Sequence, residues 1–208
     1  MVCTGCLPSS NYPDRHQYLL TVRMPAKQKA KSSSKVLLVN DTTIVPQFNN
    51  TNFVYRTDSV HYLSDYYHVF FIQPANMINQ LALQYLSTTG LFHYVTDSSS
   101  IIKPNYLLDS KVLALYADYR NKNNPKAVIA IKFILFSDHN HQTKIILNKT
   151  FREAIPLQTK NSESLIKAWN VGLTRILRQL TYTLPYSLRK NSQGHKTKHS
   201  STSLRLKR

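Results

Sequence analysis

The chain has 208 residues, 42% hydrophobic and 11% aromatic, with only 4 glycines, enough apolar material for one sizeable core and far from the composition of a disordered chain. A formal charge of +17 ordinarily points to nucleic acid or an anionic surface, but here it is unevenly placed. Residues 23–35 carry Arg23, Lys27, Lys29, Lys31 and Lys35; residues 186–208 carry Arg189, Lys190, Lys196, Lys198, Arg205, Lys207 and Arg208; neither segment has an acid, and setting these 12 aside takes the +17 down to +5. The expectation is a moderately basic domain, 36–184, between a leader at 1–35 and a basic, disordered tail at 185–208. Cys3 and Cys6 are the two cysteines, too close together to staple a fold. No run of about 18 apolar residues occurs, which excludes a transmembrane helix within this sequence.

Along the leader, Leu7 to Tyr12 and Pro13 are turn-rich, Tyr18 to Val22 reads as a short strand, and 26–35 is a Lys/Ser/Ala linker. Val36 to Val39 is a compact apolar run suited to a buried strand. Phe53–Tyr55 and Val60–Leu63 read as a hairpin across Arg56 to Ser59. Pro74 opens a helix that runs to about Thr89, with Ile78, Leu81, Ala82, Tyr85 and Leu86 at helical spacing and Gly90 as its stop. Leu91 to Val95 follows as a strand. Three longer β segments at 106–120, 126–137 and 142–154 are joined by short polar connections, as an antiparallel meander requires. A second helix begins near Ser162 as its cap, repeats Leu165, Ala168/Trp169, Gly172/Leu173, Ile176/Leu177 and Leu180 on one face, and stops at Pro185. The fold class is α+β: a mostly antiparallel sheet of about six strands with two main helices packed on one face.

The chemistry-bearing residues are sparse. His139-x-His141 is the one close histidine pair; it sits in a predicted turn beside Asp138, short of the three or four converging ligands a metal needs, so no metal site and no cofactor are expected. His61, His68 and His93 fall on predicted strands as structural histidines. The ten carboxylates are scattered, and there is no nucleophile elbow, phosphate loop or dinucleotide fingerprint. No catalytic residue is assigned, and the chain is not expected to be an enzyme. The tyrosines and phenylalanines between Phe53 and Phe71 suit strand cores or interfaces better than base stacking.

Several stretches resemble the ABC-type transport auxiliary lipoproteins. Thr4-Gly5-Cys6 looks like the end of a lipobox, although Met1 lies only five residues upstream with no basic or apolar segment between, so the start is expected to be internal or trimmed. Tyr18-Leu19-Leu20 follows the cysteine after a polar gap, and Phe53-Val54-Tyr55-Arg56 is similar to the family's Val-Tyr-Arg stretch. Tyr62 and Phe71-Ile72-Gln73-Pro74 match its entry into the first helix, with Phe71 where tryptophan is usual. Gly90-Leu91-Phe92, Tyr106-Leu107-Leu108 and the closing helix with Ala168 and Leu177 continue the match.

The resemblance implies a non-catalytic, periplasmic lipoprotein subunit of an MCE-type transport system moving phospholipids or other hydrophobic molecules. Its partners would be an MCE-domain protein and an ABC permease and ATPase, with homo-oligomerisation left open. Cys6 would carry the lipid anchor, and Leu7 after it, in place of the aspartate that signals inner-membrane retention, favours the outer membrane. Two other readings remain: a nucleic-acid-associated basic protein, and a stand-alone envelope lipoprotein. For the working surface, strand alternation is expected to put Tyr55 and Tyr62 on one face with Arg56 on the other, and Arg56, Tyr66 and Tyr67 are singled out as a partner interface because Tyr and Arg are enriched at binding hot spots.

Overall fold

A computed structural model describes residues 14–28, 34–139 and 142–202. The elements in order are β1 (His16–Tyr18), β2 (Val36–Val39), β3 (Thr43–Ile44), a 3-10 turn (Pro46–Phe48), β4 (Asn52–Arg56), β5 (Tyr62–Phe70), α1 (Pro74–Thr88), β6 (Tyr94–Thr96), β7 (Tyr106–Asp118), β8 (Lys126–His139), β9 (Gln142–Pro156) and α2 (Ser162–Thr202).

Strand β7 is the axis of the sheet. One edge pairs antiparallel with β8, from Tyr106↔Ser137 to Asp118↔Lys126, and β8 in turn pairs antiparallel with β9. The other edge is shared by three short strands laid end to end and all parallel to it: β2 at Leu37↔Tyr106, β3 at Thr43↔Lys111 and β4 at Tyr55↔Ala117. β6 lies parallel beside β2, β5 antiparallel beside β4, and β1 parallel beside β5. The sheet therefore has nine strands and is mixed, which corrects the expected six-stranded, mostly antiparallel sheet. The meander β7–β8–β9 is local and visible in its short connections. Parallel partners such as Leu37 and Tyr106 are distant in sequence, and strands of two or three residues carry no periodicity to read. The 18–22 strand is also corrected: β1 ends at Tyr18, and 19–28 forms no strand.

Both helices cover one face. Ile129, Ile131, Phe133 and Leu135 alternate along β8 and are fully buried beneath them, and Ser110 shares that face as the register partner of Phe133. Helix α1 is fastened there by a buried polar chain: the Thr42 hydroxyl donates to Asn79 Oδ1 at 3.0 Å and lies 2.6 Å from the Ser110 hydroxyl. Such a chain is stabilising only because each member is satisfied. Gly90 ends the α1 region in the left-handed conformation, φ 65°, that glycine adopts without steric cost.

Helix α2 is seated by two residues. Trp169 is fully buried, its indole N–H donates to the Val128 carbonyl at 3.2 Å, and its ring meets Phe53 edge-on at 5.1 Å and Phe70 at 5.4 Å. One turn on, Gly172 comes so close to β8 that a Cβ there would lie 2.9 Å from Ile129 Cγ2. The cap is Asn161, whose Oδ1 accepts the Ser164 N–H at 2.8 Å, rather than Ser162. Pro185 does not end the helix, which continues to Thr202. A proline removes one helical hydrogen bond and crowds the preceding turn, but Leu184, Ser187 and Leu188 are all buried, and that packing outweighs the lost bond. Gly172→Val should lower the melting temperature by the equivalent of about 2 kcal/mol or more, because Ile129 is stiff and enclosed; an unchanged thermal melt would show that the helix–sheet spacing is not set there.

Candidate functional site

The β4–β5 hairpin carries a repeated device. Asp58-x-x-His61 and Asp65-x-x-His68 fold alike: Asp58 Oδ1 accepts the N–H groups of Val60 and His61, each at 2.8 Å, while its Oδ2 lies 2.6 Å from His61 Nδ1. Asp65 Oδ1 accepts those of Tyr67 and His68 at 2.8 and 3.1 Å, and its Oδ2 lies 2.8 Å from His68 Nδ1. Asp58 is held down at about 2, chiefly by the His61 and Val60 N–H groups. Asp65 has a further partner, the Tyr55 hydroxyl, which donates to its Oδ2 at 2.6 Å. Burial pushes the Asp65 carboxyl up, but the bonds from Tyr55, His68 and the backbone outweigh it and the net shift is downward. The Tyr55 hydroxyl is pushed strongly up, by burial first and then by its bond to Asp65; its ring stacks on Tyr119 at 5.4 Å.

The second Asp turn lies within a bulge. The step from Asn52 to Val54 on β4 is matched on β5 by the step from Val69 back to Ser64, so the extra β5 residues are pushed out of the ladder. Tyr66 and Tyr67 ride on this bulge, 67% and 44% exposed, with rings edge-to-face at 5.4 Å and the Arg15 guanidinium 5.3 Å over Tyr66. On the inner side, His68 stacks on His16 of β1 at 5.6 Å. Arg56 sits at the turn end of the hairpin. Its guanidinium donates to the carbonyls of Asp58 and Ser59 at 3.1 and 2.8 Å and lies 5.4 Å over the Tyr62 ring.

The model of the ABC-type transport auxiliary lipoprotein component matches residues 18–181. The chain belongs to that family. Among solved structures, protein XCC0632 from Xanthomonas campestris, assigned to the DUF330 family, superposes with a TM-score of 0.75 at 18% identity, over 86% of this chain and 99% of that one. An uncharacterized protein gives a TM-score of 0.63 at 14% identity over 82% and 99%. At such identities these likenesses establish the fold alone. No curated protein matches the sequence.

Transport auxiliary lipoproteins are associated with ABC transport components and occupy a membrane-anchored place in the cell envelope, and the family is generally non-catalytic. Within this member, the structure separates residues that the sequence reading grouped. Arg56 is spent on the turn, while Tyr66 and Tyr67 stand on the bulge with Arg15. Tyr62 is the register partner of Arg56 and Tyr55 that of Leu63, so Tyr62 shares the face of Arg56, not of Tyr55, as cross-strand partners must. The bulge could have been suspected from the repeated Asp-x-x-His spacing, which marks a side chain capping its own backbone two and three residues on. Cys6 and His141 lie outside the described residues, as does the His139 side chain. No group of three metal-ligating side chains occurs among the described residues.

Asp65 is the fastening of the bulge, and its removal has a pH signature. A carboxylate whose folded pKa is depressed stabilises the fold above its unfolded value and loses that contribution as pH falls through the folded one. Asp65→Ala should therefore cost about 1–3 kcal/mol at neutral pH, by leaving Tyr55 and His68 without their acceptor, and its melting curve should converge on that of the wild type as pH drops below 3.8. A deficit that persisted unchanged into acid would assign the loss to packing instead.

Proposed function

We propose that this family member is a tethered, non-catalytic adaptor in an MCE-type transport system that moves phospholipids or other hydrophobic molecules across the envelope. It would be anchored through lipidated Cys6, with the outer membrane favoured, and its partners would be the MCE-domain protein and the ABC permease and ATPase. The observation carrying the adaptor role is the bulge that holds Tyr66 and Tyr67 in solvent. Both rings are exposed and packed edge-to-face, and the Asp65 bonds to the Tyr67 and His68 N–H groups hold the turn that carries them, so the pair is positioned before any partner arrives. A preorganised aromatic pair loses little side-chain entropy on binding, and tyrosine is enriched at hot spots. Arg56, by clamping the turn, fixes the other end of the same hairpin. In this reading Tyr66 and Tyr67 form the contact with the MCE-domain partner or with a sister subunit, and Arg56 holds the hairpin that presents them.

Two measurements check this. Expressed with a secretion signal, the protein should remain with membranes in about 1 M salt, where charge attraction is screened within about 3 Å. Cys6→Ser should be extracted under the same conditions and Cys3→Ser should not; equal retention of the Cys6→Ser protein would defeat the anchor. Replacing Tyr66 and Tyr67 together with Ala should leave the thermal melt within about 1 kcal/mol of wild type, since both are exposed, and abolish co-purification with the transporter subunits. Unchanged association would remove the hairpin from the interface.

A further inference from the structure

Helix α2 has an unpartnered outer stripe. Val171, Arg175, Arg178, Tyr182, Tyr186 and Arg189 are all exposed and, at 3.6 residues per turn, fall within an arc of roughly 100°. Tyr182 and Tyr186 are 76% and 71% exposed, more than either tyrosine on the β5 bulge. Arg175 reaches Glu153 at 3.5 Å, whereas Arg178 and Arg189 form no ion pair among the described residues. Glu163 is the last acid in the sequence; the 45 residues after it hold ten lysines and arginines, and the helix continues through Pro185 to Thr202, about 60 Å from end to end.

The leader is laid along this same face. The Thr21 N–H donates to Asn170 Oδ1 at 2.9 Å, Asn170 Nδ2 donates back to the Thr21 hydroxyl at 2.8 Å, and the Arg23 N–H donates to the Thr174 hydroxyl at 3.2 Å. Arg23 and Lys27 thus add to the charge, and Leu19 and Met24, exposed beside them, add apolar tips. Arg178 stands where two clefts meet: one of about 400 Å³ shared with Arg23 and Arg175, the other of about 320 Å³ lined by Tyr85, Leu91 and Tyr182. Each has room for a phosphate-bearing headgroup.

We propose that the leader–α2 face is a docking surface for an anionic lipid bilayer, lying flat on the headgroups with its arginines on lipid phosphates and Tyr182 and Tyr186 at the interface. Charge complementarity supports this occupant, because a surface with a large excess of Lys and Arg near anionic lipid gains with each basic residue. The aromatic and apolar tips interleaved with the cations match the amphipathic character of interfacial helices. The family's membrane-anchored location supplies such a bilayer. The proposal does not depend on Cys6 being lipidated.

The test uses the unlipidated full chain, carrying Cys3→Ser and Cys6→Ser, sedimented with vesicles of phosphatidylcholine alone or with about one-third phosphatidylglycerol. Binding should require phosphatidylglycerol and weaken as salt rises. Arg178→Glu with Arg189→Glu should weaken it at least 25-fold, at about fivefold per basic residue, and Tyr182→Ala with Tyr186→Ala should weaken it at every salt concentration. Circular dichroism checks that each variant is folded; if charge reversal unfolds the chain, Arg178→Gln with Arg189→Gln replaces it, again with at least 25-fold weaker binding expected. Equal binding to both vesicle types, or unaltered binding by a folded charge variant, overturns the proposal. So does tighter binding to a DNA duplex than to phosphatidylglycerol vesicles when the same arginine pair abolishes it, an outcome that would assign the face to a polynucleotide. None of these failures touches the anchor, which is read in cells by the salt-resistant retention of the wild type.

Discussion

The close seating of α2 on the sheet, through Trp169 and Gly172, is the constraint from which the remaining arrangement follows. Trp169 sits where three strands converge, against Phe53 of β4 and Phe70 of β5, with its indole N–H spent on the backbone of β8. Gly172 sets the separation by having no side chain to hold the helix away from Ile129. Because Phe53 and Phe70 belong to the strands that frame the hairpin, the contact that seats the helix also fixes where the hairpin stands. The side of α2 turned away from Trp169 is what the leader can then occupy.

Two surfaces result, and their physics differs. The β4–β5 hairpin is a rigid presentation device: Asp58 and Asp65 satisfy local backbone donors, the turn is closed by Arg56, and the tyrosines it exposes face outward on a bulge. A side chain held this way suits specific protein contact, where shape and preorganisation decide affinity. The α2 stripe is instead long and positively charged, with little shape of its own. Such a surface suits an extended anionic plane, where many weak attractions add. A family of membrane-anchored transport auxiliaries has use for both.

Much of this architecture was legible in the chain. The apolar spacing in α1 and the first half of α2 gave both helices, and β7, β8 and β9 were plain from length and polar connections. Strands at β2 and β4, and one overlapping β6, were also read, but their parallel pairings were not, because the partners lie far along the chain, and β3, of two residues, is too short for a pattern. Pro185 misled as a stop because a proline's cost is local, whereas burial of Leu184 and Leu188 depends on tertiary contacts invisible in sequence. The tyrosines of the bulge were picked out by composition, but their separation from Arg56 depends on the irregular pairing of Asn52 to Val54, which a strict alternation cannot anticipate.

The central claim is that the β5 bulge meets another subunit of an ABC-type transporter. It is tested most directly by placing a photo-crosslinking phenylalanine analogue at Tyr66 of the full-length protein in cells of its source organism and identifying the adducts by mass spectrometry. The account predicts adducts with an MCE-domain or permease subunit, or with a second copy of this chain, and none of these when the crosslinker is moved to Tyr182. Absence of any protein adduct at Tyr66, or the same adducts from both positions, would contradict it.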